Sequence, residues 1–74
     1  MDFNDFYKKL GLKIKFLREE VGLTQENLAE KAGISIDYLG KIEVNINRPG
    51  LISLLKIANA LGIEPKDLLD FDLD

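Results

Sequence analysis

The side chains able to do chemistry in this chain are few in kind. Among 74 residues there is neither cysteine nor histidine, which removes the thiolate nucleophile, the usual general base and the commonest metal ligands. Zinc sites and serine or cysteine triads go with them. Asp70-Phe71-Asp72-Leu73-Asp74 opens like a calcium loop, but the chain stops before the glycine and distal glutamate that such a loop requires, so it reads as a solvated acidic tail. No catalytic group and no cofactor is expected. What is left is recognition: between Ser35 and Lys41 the sequence sets a hydroxyl, an aliphatic, a carboxylate, a phenol and an ammonium within two helical turns.

The periodicity around those residues shows how they are held. Phe6, Leu10, Ile14, Leu17 and Val21 recur at three- and four-residue steps after the potential caps Asn4 and Asp5, giving a first helix over 4–21 that Gly22 ends. Thr24 caps a second helix over 24–32 with Leu28, Ala29 and Ala32 inward, and Gln25, the first residue inside, is expected to turn its amide outward. Ala32-Gly33-Ile34-Ser35 is a connection of the length at which a following helix crosses its predecessor, with Gly33 at the position that needs positive φ. Ser35 caps the third helix, 35–44, and Ile34 staples it. With Leu39 and Ile42 facing the core, Ile36, Asp37, Gly40 and Lys41 lie on or near the opposite side and Tyr38 at the flank.

Val44 to Pro49 reads as a loop, in which Asn45 can take the left-handed conformation. Leu51, Leu54, Leu55, Ala58 and Leu61 make a fourth helix over 51–61, and Pro65 opens a fifth over 65–70, followed by the acidic tail 71–74. The fold class is therefore all-α, one compact five-helix domain spanning 1–74 with a central helix-turn-helix. Gly11 lies inside the first helix at a cost of roughly 1 kcal/mol against alanine, which fits close approach of a backbone or a phosphate, or packing alone.

LTQENLAEKAGIS, with Leu39, Ile42 and Glu43 after it, resembles the lambda repressor and Cro-like (XRE) family of DNA-binding domains. The resemblance extends upstream to Gly11, Ile14, Leu17 and Arg18 and downstream to Pro49, Leu51, Leu54, Leu55, Ala58, Leu61 and Gly62. It implies a lambda-repressor-like fold, a transcriptional regulator (a repressor) and a symmetric pair of domains on double-stranded DNA. It also implies that Gln25 touches the DNA backbone and that Ile36, Asp37 and Lys41 reach base edges. Ser35 and Tyr38 would reach bases or phosphates, while Arg18 and Glu43 would form a structural ion pair.

This chain departs from the family's commoner polar filling. Lysine can donate to guanine, isoleucine can meet a thymine methyl, and a carboxylate can accept from cytosine N4 or adenine N6 but repels phosphates. The alternatives are that Ile36 completes the core and that Asp37 favours the helix N-terminus through the macrodipole. Gly40 fits close approach of a sugar-phosphate strand. Where relatives often carry polar residues this chain has Val44 and Ile46, which leaves Asn45, Asn47 and Arg48 as candidate phosphate contacts.

The net charge of −3 is unevenly spread. From Glu64 to Asp74 the balance is −4, the preceding 63 residues carry +1, and Lys8, Lys9, Lys13, Lys15 and Arg18 share one window without an acid. Weak non-specific binding to nucleic acid follows, because few phosphates can be neutralised. The acidic end, Ile36, Val44 and Ile46 would equally suit an antitoxin or regulatory module of the same fold whose main ligand is a protein. Phe3, Tyr7, Phe71 and Leu73 are candidate dimer contacts, and Phe3 and Phe71 can instead tuck under the domain. An apolar content of 46%, with no run long enough for a membrane span and no leader pattern, makes a cytoplasmic protein without membrane contact the expectation.

Overall fold

The computed structural model describes residues 1–72 and orders them as α1 (Phe3–Glu20), α2 (Gln25–Ala32), α3 (Ile36–Glu43), α4 (Leu51–Leu61) and α5 (Pro65–Leu68), with no strand among them. Leu73 and Asp74 lie outside the described residues. No helix among the described residues is long and apolar enough to cross a membrane.

Each boundary has a local cause. Asp2, rather than Asn4 or Asp5, caps α1: its carboxylate accepts from the backbone N–H of Asn4 at 2.9 Å and of Asp5 at 3.3 Å. The cap falls two residues earlier than expected because Asp2 supplies both the extended backbone and the acceptor, while Asp5 adds negative charge within the first turn. Thr24 and Asn27 close a reciprocal capping box on α2. Gly33, at φ 70°, stops α2 in the left-handed conformation, and the Ile34 N–H reaches back 3.0 Å to the Ala29 carbonyl. Ser35 Oγ then accepts from the Tyr38 N–H at 3.0 Å and starts α3.

The core collects Leu10 and Ile14 from α1, Leu28, Ala29 and Ala32 from α2, Leu39 and Ile42 from α3, Ile57, Ala58 and Leu61 from α4, and Leu68 from α5. In α4 the buried stripe is Ile57, Ala58 and Leu61 with half-buried Leu54, whereas Leu51 and Leu55, expected inside, are exposed. The sequence of α4 is aliphatic nearly all round, so several stripes satisfy the helical period, and contact with α2 selects the one centred on Ile57. Val21, also expected inside, is exposed at the end of α1. Phe71 packs on Phe6 with ring centroids 5.5 Å apart and Phe6 meets Tyr7 edge-on, while Phe3 stays exposed. Phe71 and Tyr7 are thus spent within the domain.

Of the two helical glycines, only one is required by space. A Cβ on Gly11 would collide with the carbonyl oxygen of Ile42 and stand 2.9 Å from that of Glu43, so α1 can cross the end of α3 at this distance only without a side chain. Gly40 faces the Gln25 side chain with ordinary clearance, 3.6 Å to Oε1. Gly11→Ala is expected to destabilise the domain by about 1–3 kcal/mol through overpacking. Gly40→Ala, in contrast, should be neutral or stabilising by up to about 1 kcal/mol from helix propensity alone. Urea midpoints of the two variants check this pair of signs, and equal effects would contradict it.

Candidate nucleic-acid interface

The outward face of α3 is set by a buried polar cluster beneath it. Glu43 ends α3 with a carboxylate in the last turn, where the helix dipole disfavours negative charge. Arg18 answers it in fork geometry: Nε donates to Glu43 Oε2 at 2.8 Å and Nη2 to Oε1 at 3.0 Å. The third limb, Nη1, donates to the Leu23 carbonyl at 2.9 Å. Gln25 Nε2 completes the set with a 3.0 Å bond to Glu43 Oε1. Both charged residues are buried and every buried side-chain polar atom among the described residues has a partner. One guanidinium therefore ties the end of α1, the turn into α2 and the end of α3 together. The hydrogen bond to Glu43 holds the Arg18 guanidinium above its already high ordinary pKa against the opposing effect of burial, so Arg18 stays charged throughout the physiological range.

This arrangement corrects the expectation for Gln25, whose amide turns inward onto Glu43 and over Gly40 instead of outward. Ile36 is 48% exposed, so it does not complete the core. Asp37 and Lys41 stand on the same edge one turn apart and pair with each other, Nζ to Oδ2 at 3.0 Å. Tyr38 is half-buried and donates its hydroxyl to Ser53 Oγ on α4 at 3.1 Å, and Ser35 is engaged by its cap.

The loop after α3 is braced against α1. Asn45 takes φ 61° and donates its side-chain amide to Asn4 Oδ1 at 3.0 Å. The N–H groups of Ile46 and Asn47 both donate to the Lys41 carbonyl, at 2.8 and 3.1 Å. Arg48 holds its guanidinium 4.8 Å above the Tyr7 ring. Val44 and Ile46 are exposed. Two features lay beyond the sequence reading: the Asn4 and Tyr7 braces, and a groove of about 200 Å³ lined by Lys8, Leu12, Lys15, Gln25, Glu43 and Val44. The basic window of α1 hinted at the second, while nothing in the spacing pointed to the first.

The described C-terminal segment runs elsewhere. Lys9 Nζ donates to the Asp72 carbonyl and Phe71 sits on Phe6, so this end folds against the start of α1 and leaves the α3 edge open.

The helix-turn-helix family HTH_3 matches residues 14–68. The immunity repressor protein of Bacillus phage phi105 is 47% identical over 55 residues, covering 74% of this chain and 38% of that protein. The control protein C.BamHI of Bacillus amyloliquefaciens is 35% identical over 69 residues, 92% of this chain and 85% of that protein. Among solved structures, the restriction-modification controller protein C.AhdI from Aeromonas hydrophila superposes with a TM-score of 0.83 at 39% identity, covering 84% of this chain and 94% of that one. The N-terminal DNA-binding domain of SinR from Bacillus subtilis gives 0.79 at 36% identity, covering 88% of this chain and 96% of that one. The chain thus spans well under two thirds of the phage repressor but nearly all of the two solved domains.

Arg18→Met is expected to cost about 3–5 kcal/mol, because it strands the Glu43 carboxylate in the interior, whereas Arg18→Met with Glu43→Met should recover most of that loss. Thermal or urea unfolding of the two variants measures the difference; a single variant as stable as the parent would refute the burial argument.

Proposed function

The chain belongs to the helix-turn-helix family HTH_3, and from that membership we propose that it is a transcriptional regulator, a repressor, that binds specific sites in double-stranded DNA with α3 in the major groove. The observation that carries this reading is the open edge of α3. Ile36 and the Asp37 and Lys41 side chains reach solvent side by side on a helix whose base is fixed by Arg18, Glu43 and Gln25. A helix with its side chains is about 10–12 Å across, which suits a groove about 12 Å wide. The names of the relatives, an immunity repressor and a restriction-modification control protein, support the regulatory role.

Phosphate contacts would come from the rim. The candidates are the Gln25 backbone N–H at the start of α2, Lys8 and Lys15 beside the groove, and Asn47 and Arg48 in the braced loop. With a body near neutrality, affinity would rest on these few contacts, and its fall with salt would be shallow because few phosphates are neutralised.

A homodimer would present two α3 edges on half-sites about 34 Å apart. Its contacts would lie on α4 and on Leu69 at the end of α5 rather than on Phe71 and Tyr7. Leu51 is 71% and Ile52 70% exposed, and Leu55 and Leu69 are exposed as well. Clusters of large aliphatics in that state favour a partner surface.

Selection from a pool of random duplexes at two salt concentrations tests the reading. It should enrich a palindromic site. Lys15→Ala is expected to weaken binding about tenfold at every sequence alike, and Lys41→Ala to relax preference at one base pair by roughly ten- to a hundredfold. No enriched duplex at low salt would contradict the proposal.

A further inference from the structure

We infer, on the basis of the DNA reading above, that Asp37 and Lys41 act as one zwitterionic reader of a single G·C base pair in a fixed orientation. Lys41 Nζ and Asp37 Oδ2 are 3.0 Å apart on the exposed edge of α3, and the Asp37 side chain is 74% exposed. The major-groove edge of a base pair offers the complement of such a pair. Guanine O6 and cytosine N4 are held by their own Watson–Crick bond at the usual N–H···O spacing of about 2.9 Å. Laid against that edge, the ammonium donates to guanine O6 and N7 while the carboxylate accepts the free N4 hydrogen of cytosine.

The other three arrangements fit less well. With thymine on the lysine side the ammonium finds only O4 beside a methyl group, and the carboxylate meets adenine N6 next to the lone pair of N7. With cytosine on the lysine side, donor faces donor and acceptor faces acceptor; with adenine there, the ammonium keeps only N7 beside the N6 donor and the carboxylate faces thymine O4, acceptor against acceptor. The pairing has a second consequence. Asp37 holds Lys41 in a neutral unit, so the lysine is not available to bind any phosphate indiscriminately, and a carboxylate that would otherwise weaken a DNA-binding face acquires a use there.

The test is the charge-swapped double variant Asp37→Lys/Lys41→Asp of the full chain, with duplex selection run beside the parent. The parent should select G·C at one position of each half-site. The swapped protein should select C·G at that position, a reversal of roughly ten- to a hundredfold in preference, with the other positions unchanged. Circular dichroism verifies the fold. Because the swap sets both charges against the α3 dipole, Asp37→Asn serves as a second variant. It should relax discrimination at the same position and raise affinity for random duplex. A folded swapped protein with the parent's preference would overturn the inference, as would an Asp37→Asn protein with undiminished discrimination, or changes spread independently over two base pairs. A parent that selects a site without that G·C preference overturns this inference alone, and a parent that selects no duplex overturns the DNA reading beneath it.

Discussion

The pairing of Arg18 with Glu43 is the constraint on which the proposed recognition surface depends. An isolated eight-residue helix is far below the length at which helices persist in water, so α3 exists because Leu39 and Ile42 are buried and because its ends are held. Its N-terminal end is held by the Ser35 cap, a local device. The C-terminal end is held by a guanidinium from another helix, and the carboxylate that receives it would be unfavourable at that place on its own. Gly11 belongs to the same device, since the fork can close only when α1 reaches the last carbonyls of α3. Core packing, backbone approach and charge pairing thus converge on one end of one short helix.

That economy shapes the surface. Several polar groups flanking α3 are used to build the platform: Gln25 on Glu43, Tyr38 on Ser53, Asn45 on Asn4 and Arg48 on Tyr7. Little cationic charge is left over, in keeping with a body near neutrality and a net charge of −3. A binder made this way gains little from indiscriminate attraction to phosphate and must draw its selectivity from the few side chains presented at the centre.

Much of this fold was legible in the residues, and the illegible parts have physical reasons. Thr24, Gly33 and Ser35 announce their turns because capping and positive φ are decided within three or four residues. The fork between Arg18 and Glu43 spans 25 positions and was reached through family resemblance, since no periodicity relates its two halves. In α4 the period failed to choose, because LISLLKIANAL offers apolar residues on almost every side and only the seat against α2 decides that Ile57 is inside and Leu51 outside. The direction of Gln25 has no local signal: a polar residue opening a helix is ordinarily solvated, and its inward turn answers a carboxylate 18 residues away. The two braces of the loop onto Asn4 and Tyr7 are likewise matters of tertiary placement.

Whether a clamped α3 lies against duplex DNA by its Ile36 to Lys41 edge can be read from amide chemical-shift mapping of the labelled chain titrated with an enriched duplex. The largest changes should fall on residues 36–41, on Thr24 and Gln25, and on the loop 45–48, with Arg18 and Glu43 keeping their free-state environment. Changes concentrated on the exposed face of α4 and on α5, with 36–41 unmoved, would contradict it.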